Sequence, residues 1–274
     1  MTKTNLFNKA GMAAISDLHS EHYKDIFTHL ESEQKIFLSH ESHFRSANYK
    51  WPKDPLHCWS RVWEYPYVYY HLQKIKNLNP SDQKLKVVDF GSGVTFFPFA
   101  VAKMGIDVQC LDIDPVCATD ILSATNVVDI GPGKVSFSLI EDDKLPVQKN
   151  QIDVVYCISV LEHIDNFEST IEQIVEILKP NGILILTIDL DLCGYLDISN
   201  ERYLNLRESL LKHFEFLEVE ETTHPIDILT QSLEISWGAK AKYACKEFIR
   251  SVVKNSKFRK YPNLAVWAAV LRKK

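Results

Sequence analysis

The sequence predicts an α/β protein built on a doubly wound, mostly parallel seven-stranded sheet, with an antiparallel edge strand and an N-terminal helical cap. From residue 85 onward, short apolar runs rich in β-branched residues alternate with helical stretches. Near-continuous apolar strands of this kind are typical of a parallel sheet covered on both faces. The polar, helical or irregular segment 1–80 is the predicted cap, and 81–274 is the α/β domain with a helical insertion at about 224–260.

Five strands are predicted in the first part of the α/β domain, at 86–91, 107–113, 135–140, 152–159 and 182–189. The segments between them, at 96–105, 115–126 and 167–180, have helical character. In the last of these, Ile171, Ile174, Val175 and Leu178 recur at helical spacing, and Pro180 is expected to end the helix.

The order changes after residue 200. A helix at about 201–214 precedes the strand-like FEFLEVEE, then the helical insertion, then a final strand at 263–273. These last two strands, at FEFLEVEE and at 263–273, are expected to form an antiparallel edge of the sheet.

Composition limits the function classes. The chain has 274 residues, a formal net charge of −5 and 24% charged residues, so no general attraction to nucleic acid is expected. A basic stretch at 246–260 is either a solvated helix face or an anion-binding patch. The 6 cysteines form no CxxC pair, which favours reduced thiols in a cytoplasmic protein. No signal peptide or membrane span is predicted.

The stretch VVDFGSGVTFFP at 87–98 has the form of a nucleotide-binding turn. Gly91-Ser92-Gly93 joins a buried strand to a helix, where free backbone N–H groups and close approach of a ligand are both available. Asp89 precedes the glycines at the carboxyl end of the strand. A carboxylate there would repel the pyrophosphate of a dinucleotide and suits a cationic ligand that carries an amino group.

A second acid strengthens this interpretation. Asp112 ends the next strand, about 20 residues after the glycines, the separation at which an acid accepts hydrogen bonds from ribose hydroxyls. Ile113 would then lie against an adenine face. The alternatives are that Asp89 caps the following helix, and that Asp112 or Asp114 caps the helix after Pro115. The order strand, glycine turn, helix, strand and acid favours a nucleoside site.

Four stretches in order, VVDFGSG, CLDIDP, DDKLPVQKNQIDVVYCISVLEHI and LKPNGILILT, resemble the class I S-adenosylmethionine-dependent methyltransferases. Within this class, the chain is similar to the small-molecule branch that includes the ubiquinone-biosynthesis methyltransferases. The resemblance covers roughly 84–190 and implies a Rossmann-like fold, S-adenosyl-L-methionine as cofactor and a small-molecule acceptor.

The resemblance also implies roles for individual residues. Asp89 would help hold the amino group of the cofactor, often through water, Gly91, Ser92 and Gly93 would approach its methionyl and ribose portions, and Asp112 would bind the ribose hydroxyls. An acid beside the adenine amino group would be Glu141, from a gapless match to Leu145-Pro146, or Asp142.

Ser159 would line the methyl-transfer region. The family usually has Gly-x-Gly-x-Gly, whereas this chain has Thr95 at the third position, which predicts a different local loop path.

The sequence does not single out one residue as the general base. Methyl transfer requires in-line placement and a deprotonated acceptor. His163 and Asp189 are the candidate catalytic residues, although His163 equally suits a structural role in positioning a helix. Further candidates are Glu64, Glu162, Asp191 and His224. Asp189 and Asp191 are spaced to face the same way, which would allow a metal-assisted site, but no resident metal is expected.

The aromatic-rich segment 49–70 is either the core of the cap or part of an acceptor pocket. Arg61, within it, could pair with the carboxylate of the cofactor, and a second cap element is expected from 224–260.

Together these observations predict S-adenosylmethionine-dependent methyl transfer to an oxygen or nitrogen of a small-molecule or saccharide-type acceptor. A homodimer is compatible with the sequence, which leaves the oligomeric state open. The alternatives are a non-catalytic cofactor- or partner-binding protein, and an RNA or protein methyltransferase. An NAD-linked oxidoreductase is disfavoured because Phe96 stands where its last glycine would be.

Overall fold

The computed structural model describes residues 7–79, 83–193, 199–231, 237–253 and 263–274. The strands in this part of the chain are β1 (Ala10–Met12), β2 (Lys86–Phe90), β3 (Asp107–Asp112), β4 (Lys134–Leu139), β5 (Ile152–Ile158), β6 (Leu178–Asp191), β7 (Phe214–Phe216), β8 (Glu220–Glu221) and β9 (Leu264–Lys273). The α-helices are α1 (Glu21–Ser39), α2 (Glu41–Phe44), α3 (Arg61–Leu78), α4 (Phe97–Lys103), α5 (Pro115–Ala124), α6 (Phe167–Ile177), α7 (Asn200–His213) and α8 (Trp237–Val253). Short 3-10 helices occur at Ile15–His19, Leu161–His163 and Pro225–Asp227.

The strands form one sheet in the order β4-β3-β2-β5-β6-β9-β1-β8, with β7 also paired to β9. Strands β2 to β6 are parallel, and β9 runs antiparallel to β6. This confirms the predicted α/β class, with a parallel centre and an antiparallel strand beside it. The segment 214–221, predicted as one strand, forms the two short strands β7 and β8, and β1 is an addition that the sequence pattern did not indicate.

Helices cover both faces of the sheet. Val87 belongs to a core cluster shared with α1, α3, α4 and α5, whereas its neighbour Val88 belongs to a second cluster shared with α6 and α7. Because successive side chains of a strand point to opposite faces, an apolar strand of this kind is buried on both sides.

The boundary between α6 and β6 differs from the prediction. The helix ends at Ile177 rather than near 180, and β6 begins at Leu178, where Leu178 pairs with Ile152. Pro180 restricts the residue before it to extended conformations, so the chain leaves the helix early. The Nζ atom of Lys273 donates to the carbonyl oxygens of Val175 (2.6 Å) and Leu178 (2.7 Å), which satisfies the exposed end of the helix.

The aromatic helix α3 is buried along most of its length, including Trp63, Tyr65 and Tyr67. Pro66 cannot donate a backbone hydrogen bond to the carbonyl of Val62, and the hydroxyl of Tyr23 donates to that oxygen instead, at 3.1 Å. The core interpretation of the aromatic segment is therefore correct for most of α3, although its first turn also reaches the candidate site.

Part of the predicted insertion lies in α8. In the basic stretch, Arg250 pairs with Glu247, while the positions from 254 to 260 lie outside the described residues. Among the helices of the described residues, none combines the length and apolarity needed to cross a membrane.

Candidate active site

The turn after β2 is built around glycine. The N–H groups of Gly91 and Ser92 both donate to the carbonyl of Leu111, at 2.8 and 3.1 Å. Gly91 has φ 73°, and a Cβ atom at this position would lie 2.5 Å from Cγ2 of Val160. Both the left-handed backbone and the close contact require glycine here, and the turn leads into α4 as the sequence predicts.

Asp112, at the end of β3, is bonded to that turn. Its Oδ2 atom accepts from the N–H of Gly93 at 2.8 Å, and Oδ1 accepts from the N–H of Asp114 at 2.9 Å. Asp114 in turn caps α5 by accepting from the N–H of Val116. The alternative left open by the sequence is thereby resolved, because the capping residue is Asp114 and not Asp112. Ile113, beside it, is 72% exposed.

Asp89 is buried next to Tyr156, its register partner on β5. Burial raises the pKa of Asp89 to about 8, the negative charge of Asp112 adds to this, and the hydroxyl of Tyr156 acts in the opposite direction. Asp89 does not cap α4, whose N-cap is Phe96 without a side-chain hydrogen bond. This carboxyl group therefore gains its charge most readily when a cation approaches it.

The N-terminal segment forms hydrogen bonds with the glycine turn at the point where a third glycine is absent. The N–H of Val94 donates to the hydroxyl of Tyr49 at 3.0 Å, and its carbonyl accepts from Nη1 of Arg45 at 2.9 Å. The guanidinium of Arg45 also lies 4.3 Å from the ring centroid of Tyr49. Neither residue was predicted from the sequence, although Tyr49 begins the aromatic segment that drew attention to the cap.

Ser159 is joined to the cap by a buried carboxylate. The hydroxyls of Ser159 and Thr187 each donate to Oε1 of Glu64 at 2.6 Å, and Nη1 of Arg61 donates to Oε2. Glu64 is fully buried in α3. Arg61, predicted to face the carboxylate of the cofactor, is thus paired with Glu64 at the carboxyl ends of β5 and β6.

Glu162 and Asp189 lie together beside this pair. Oε1 of Glu162 accepts from the backbone N–H of Asp189 at 2.8 Å. Burial raises the pKa of Glu162 well above its usual range, and the negative charge of Asp189 adds to the effect. The pKa of Asp189 is raised to about 7 by burial and by the charge of Glu64, while Arg61 opposes the shift.

The other candidates occupy more exposed or separate positions. His163 is exposed at the end of its 3-10 turn, and Glu141 and Asp142 are exposed after β4. Asp191 is buried and accepts from the N–H of Cys193 at 2.8 Å. Within the described ranges, no group of three or more His, Cys, Asp or Glu side chains is arranged to hold a metal ion.

Comparison with known families agrees with this geometry. Residues 88–186 match the family model of a methyltransferase domain, a range that contains the glycine turn, Asp112 and Glu162. This segment of the chain is therefore similar to a methyltransferase domain.

Curated relatives match over a similar region. The ubiquinone biosynthesis O-methyltransferase of Rickettsia prowazekii (strain Madrid E) is 31% identical over 120 residues, which cover 43% of this chain and 45% of the relative. The enzyme of the same name from Rickettsia canadensis (strain McKiel) is 29% identical over 144 residues, covering 50% and 56%. The chain thus spans about half the length of these relatives. A solved S-adenosylmethionine-dependent methyltransferase from Aquifex aeolicus aligns with 73% of this chain and 88% of its own, at 13% identity and a TM-score of 0.44.

Proposed function

We propose that the protein is an S-adenosylmethionine-dependent methyltransferase that acts on an oxygen or nitrogen of a small-molecule or saccharide-type acceptor. The observation that carries this proposal is the hydrogen bond of 2.8 Å between Asp112 and the N–H of Gly93. It joins the glycine turn to the acid at the end of β3, inside the segment that matches the methyltransferase domain.

The residues around the turn fit S-adenosylmethionine. The buried carboxyl of Asp89 suits the amino group of the cofactor, and Asp112 is partly exposed where ribose hydroxyls can reach it. Ile113 offers an exposed apolar side chain to adenine, with Glu141 or Asp142 toward the adenine amino group.

The methionyl end is assigned to residues at the other side of the turn. Ser159 borders the region of the sulfonium, and Arg61 binds the carboxylate with guanidinium donors other than Nη1, which Glu64 occupies. The backbone of Gly91, Ser92 and Gly93 completes the cofactor site.

When bound, the cofactor supplies an electrophilic methyl group on sulfur. The protein orients the acceptor in line with that group and removes the proton that the acceptor oxygen or nitrogen loses. Asp189 is the proposed general base, because its pKa of about 7 is close to the ambient pH. His163 is the second candidate, and its exposed position also suits the structural role.

The names of the curated relatives support oxygen as the methylated atom and a small molecule as the acceptor. The formal charge of −5 agrees with this class of acceptor better than with a nucleic acid.

Calorimetry with S-adenosylhomocysteine tests the cofactor site. We expect binding in the micromolar range, and we expect Asp112→Ala to weaken it at least tenfold by removing the ribose acceptor. Glu172→Ala, an exposed change on α6, is the control and should bind like the wild type. Absence of binding to the wild type, or equal binding to Asp112→Ala, would contradict the proposal. Incubation with methyl-labelled cofactor and a metabolite extract then tests turnover and yields the acceptor.

A further inference from the structure

The side chains beyond Ser159 form a carboxyl cluster, defined here as Glu64 on α3, Glu162 on the 3-10 turn and Asp189 on β6. Glu64 is satisfied by two hydroxyls and by Arg61. In each of the other two members, one carboxyl oxygen lacks a partner. Oε2 of Glu162 and Oδ1 of Asp189 are both buried and have no hydrogen-bond partner among the described residues.

The incomplete bonding of Glu162 is energetically significant. The side chain is 1% exposed, and a buried polar atom without a partner loses its hydration without a compensating hydrogen bond. Its other oxygen accepts from the N–H of Asp189, and the charge of Asp189 acts on the Glu162 carboxyl, so the two side chains are neighbours. Native proteins retain such atoms mainly where a ligand, an ion or water satisfies them.

The charges around the cluster favour a cation over a neutral group. Glu64 and Asp189 add negative charge around Glu162, and Arg61, the guanidinium that acts on Asp189, is already bonded to Glu64. A neutral hydroxyl would satisfy one oxygen and leave the excess of carboxyl groups uncompensated. An ammonium group donates three hydrogen bonds and carries the opposite charge, so it matches both requirements.

We propose that the carboxyl cluster is the acceptor subsite and that it binds a primary or secondary ammonium group on the acceptor, held by Glu162 and Asp189. This inference rests on the proposed methyltransferase function and narrows its substrate class to amine-bearing small molecules. The ammonium group is the part of the acceptor that the cluster recognises; the methylated atom can be that nitrogen or another atom of the acceptor.

The position of the cluster supports its assignment to the acceptor. Ser159 and Glu64 share a hydrogen bond of 2.6 Å, so the cluster begins where the proposed sulfonium region ends. Asp89, the residue proposed for the amino group of the cofactor, lies on β2 beside Tyr156, whereas the cluster lies on α3, the 3-10 turn and β6. The two ammonium groups therefore have two different carboxyl partners.

Binding of an ammonium group at the cluster is linked to pH. The groups facing Glu162 and Asp189 are Glu64 and Arg61 from α3 and Cys157 from β5, whose thiol pKa is itself raised by burial. Because the pKa values of Glu162 and Asp189 are raised, each binds a proton that an ammonium ligand must displace. Acceptor affinity should therefore increase as pH rises from about 6 to 8, while an alkyl amine stays charged because its pKa is about 10.

The first experiment compares two preparations of one metabolite extract. One is left untreated, and the other is acetylated with N-acetoxysuccinimide and then treated with hydroxylamine, which removes O-acetyl groups but leaves N-acetyl groups. With methyl-labelled cofactor, we expect labelled product from the untreated extract and a loss of at least tenfold after acetylation. Equal labelling of both preparations would overturn the inference while upholding the methyltransferase.

The second experiment uses Glu162→Gln with the acceptor isolated from the first. Glutamine keeps an oxygen for the N–H of Asp189 and removes only the ability to become negative. We expect the acceptor KM to rise at least tenfold and to lose part of its pH dependence, while the Kd for S-adenosylhomocysteine stays within threefold. Asp165→Asn, exposed in the loop before α6, is the matched control and should change neither constant.

The outcomes separate the two proposals. An unchanged acceptor KM in Glu162→Gln would overturn the ammonium subsite. Failure of the wild type to bind S-adenosylhomocysteine, or to label any compound of the untreated extract, would overturn the methyltransferase itself and the subsite with it.

Discussion

At the scale of single residues, Asp89 combines burial with a position at the end of β2 beside the glycine turn. Its pKa of about 8 lies far above the value of 3.8 for an unburied aspartate. The folded protein therefore retains a proton that the unfolded chain has released at neutral pH. The contribution of this group to stability is fully present below about pH 4 and is lost as pH rises through 8.

Asp89→Asn tests this linkage, because asparagine resembles the protonated side chain at every pH. Without cofactor, we expect the wild type to lose up to about 1.4 kcal/mol of unfolding free energy per pH unit relative to the variant between pH 5 and 8. Urea unfolding at each pH measures the difference, with Asp165→Asn as an exposed control. A difference between wild type and variant that stays constant with pH would show that Asp89 is ionised in the fold.

The residues of the glycine turn and its partner acid were predicted from a local pattern, whereas the contacts between the N-terminal helices and the sheet were not. Asp89, Gly91 and Asp112 are set by strand ends and a turn, so neighbouring residues reveal them. The contact of Glu64 with Ser159 spans 95 positions, and the contact of Tyr49 with Val94 spans 45. Such contacts depend on how the N-terminal helices pack on the sheet, which no local pattern encodes. The pairing of Arg61 with Glu64 is local, three positions apart on α3, but the sequence interpretation assigned Arg61 to the carboxylate of the cofactor instead.

At the scale of elements, the predicted helices and strands have the right type because each is long and strongly patterned. Strand β1 was missed because its 3 residues are too few to show an alternation, and the segment 214–221 was predicted as one strand although β8 has only 2 residues and is separate from β7. The end of α6 was misplaced because Leu178 continues the helical spacing, yet Pro180 forces the chain to extend before it. Elements are thus predictable from periodicity, whereas their boundaries depend on contacts such as those of Lys273 with the carbonyl of Val175 in the helix and that of Leu178 just after it.

Also at the scale of elements, Asp17 joins the segment before α1 to helix α3. Asp17 is fully buried and accepts from the ammonium of Lys9 (3.0 Å), the N–H of Ala14 (3.0 Å) and Nε1 of Trp63 (2.8 Å). Asp17→Asn leaves Lys9 buried without its counter-charge and should reduce the unfolding free energy by about 3 kcal/mol.

A double-mutant cycle with Lys9→Met measures the pair by urea unfolding. We expect the double variant to recover part of the loss, because the buried charge has gone with its partner. Asp25→Asn, an exposed change on α1, serves as the control. Strictly additive losses in the double variant would mean that Lys9 and Asp17 do not act as a pair.

At the scale of the whole molecule, the N-terminal helices and the α/β domain share one core. Trp63 and Tyr67 of α3 belong to the same buried cluster as Val266 and Ala268 of β9. Strand β1 also adds to the sheet beside β9. A segment predicted as a cap over the site is therefore part of the hydrophobic core that the sheet requires, and opening it would expose that core to water.

We therefore expect α3 and the central strands to unfold in one cooperative transition. Native-state hydrogen exchange, followed by mass spectrometry at increasing urea, should give peptides of α3 and of β5 the same opening free energy. Helix α8 supplies an internal comparison, because those of its side chains that the structure describes, such as the exposed Phe248, belong to neither core cluster, and its peptides should exchange at a lower free energy. Exchange of α3 well before β5 would instead show a lid that opens independently. Addition of S-adenosylhomocysteine at about 100 times its Kd should raise the opening free energy of the α3 and β5 peptides by about 2.7 kcal/mol, because ligand binding stabilises the whole folded unit.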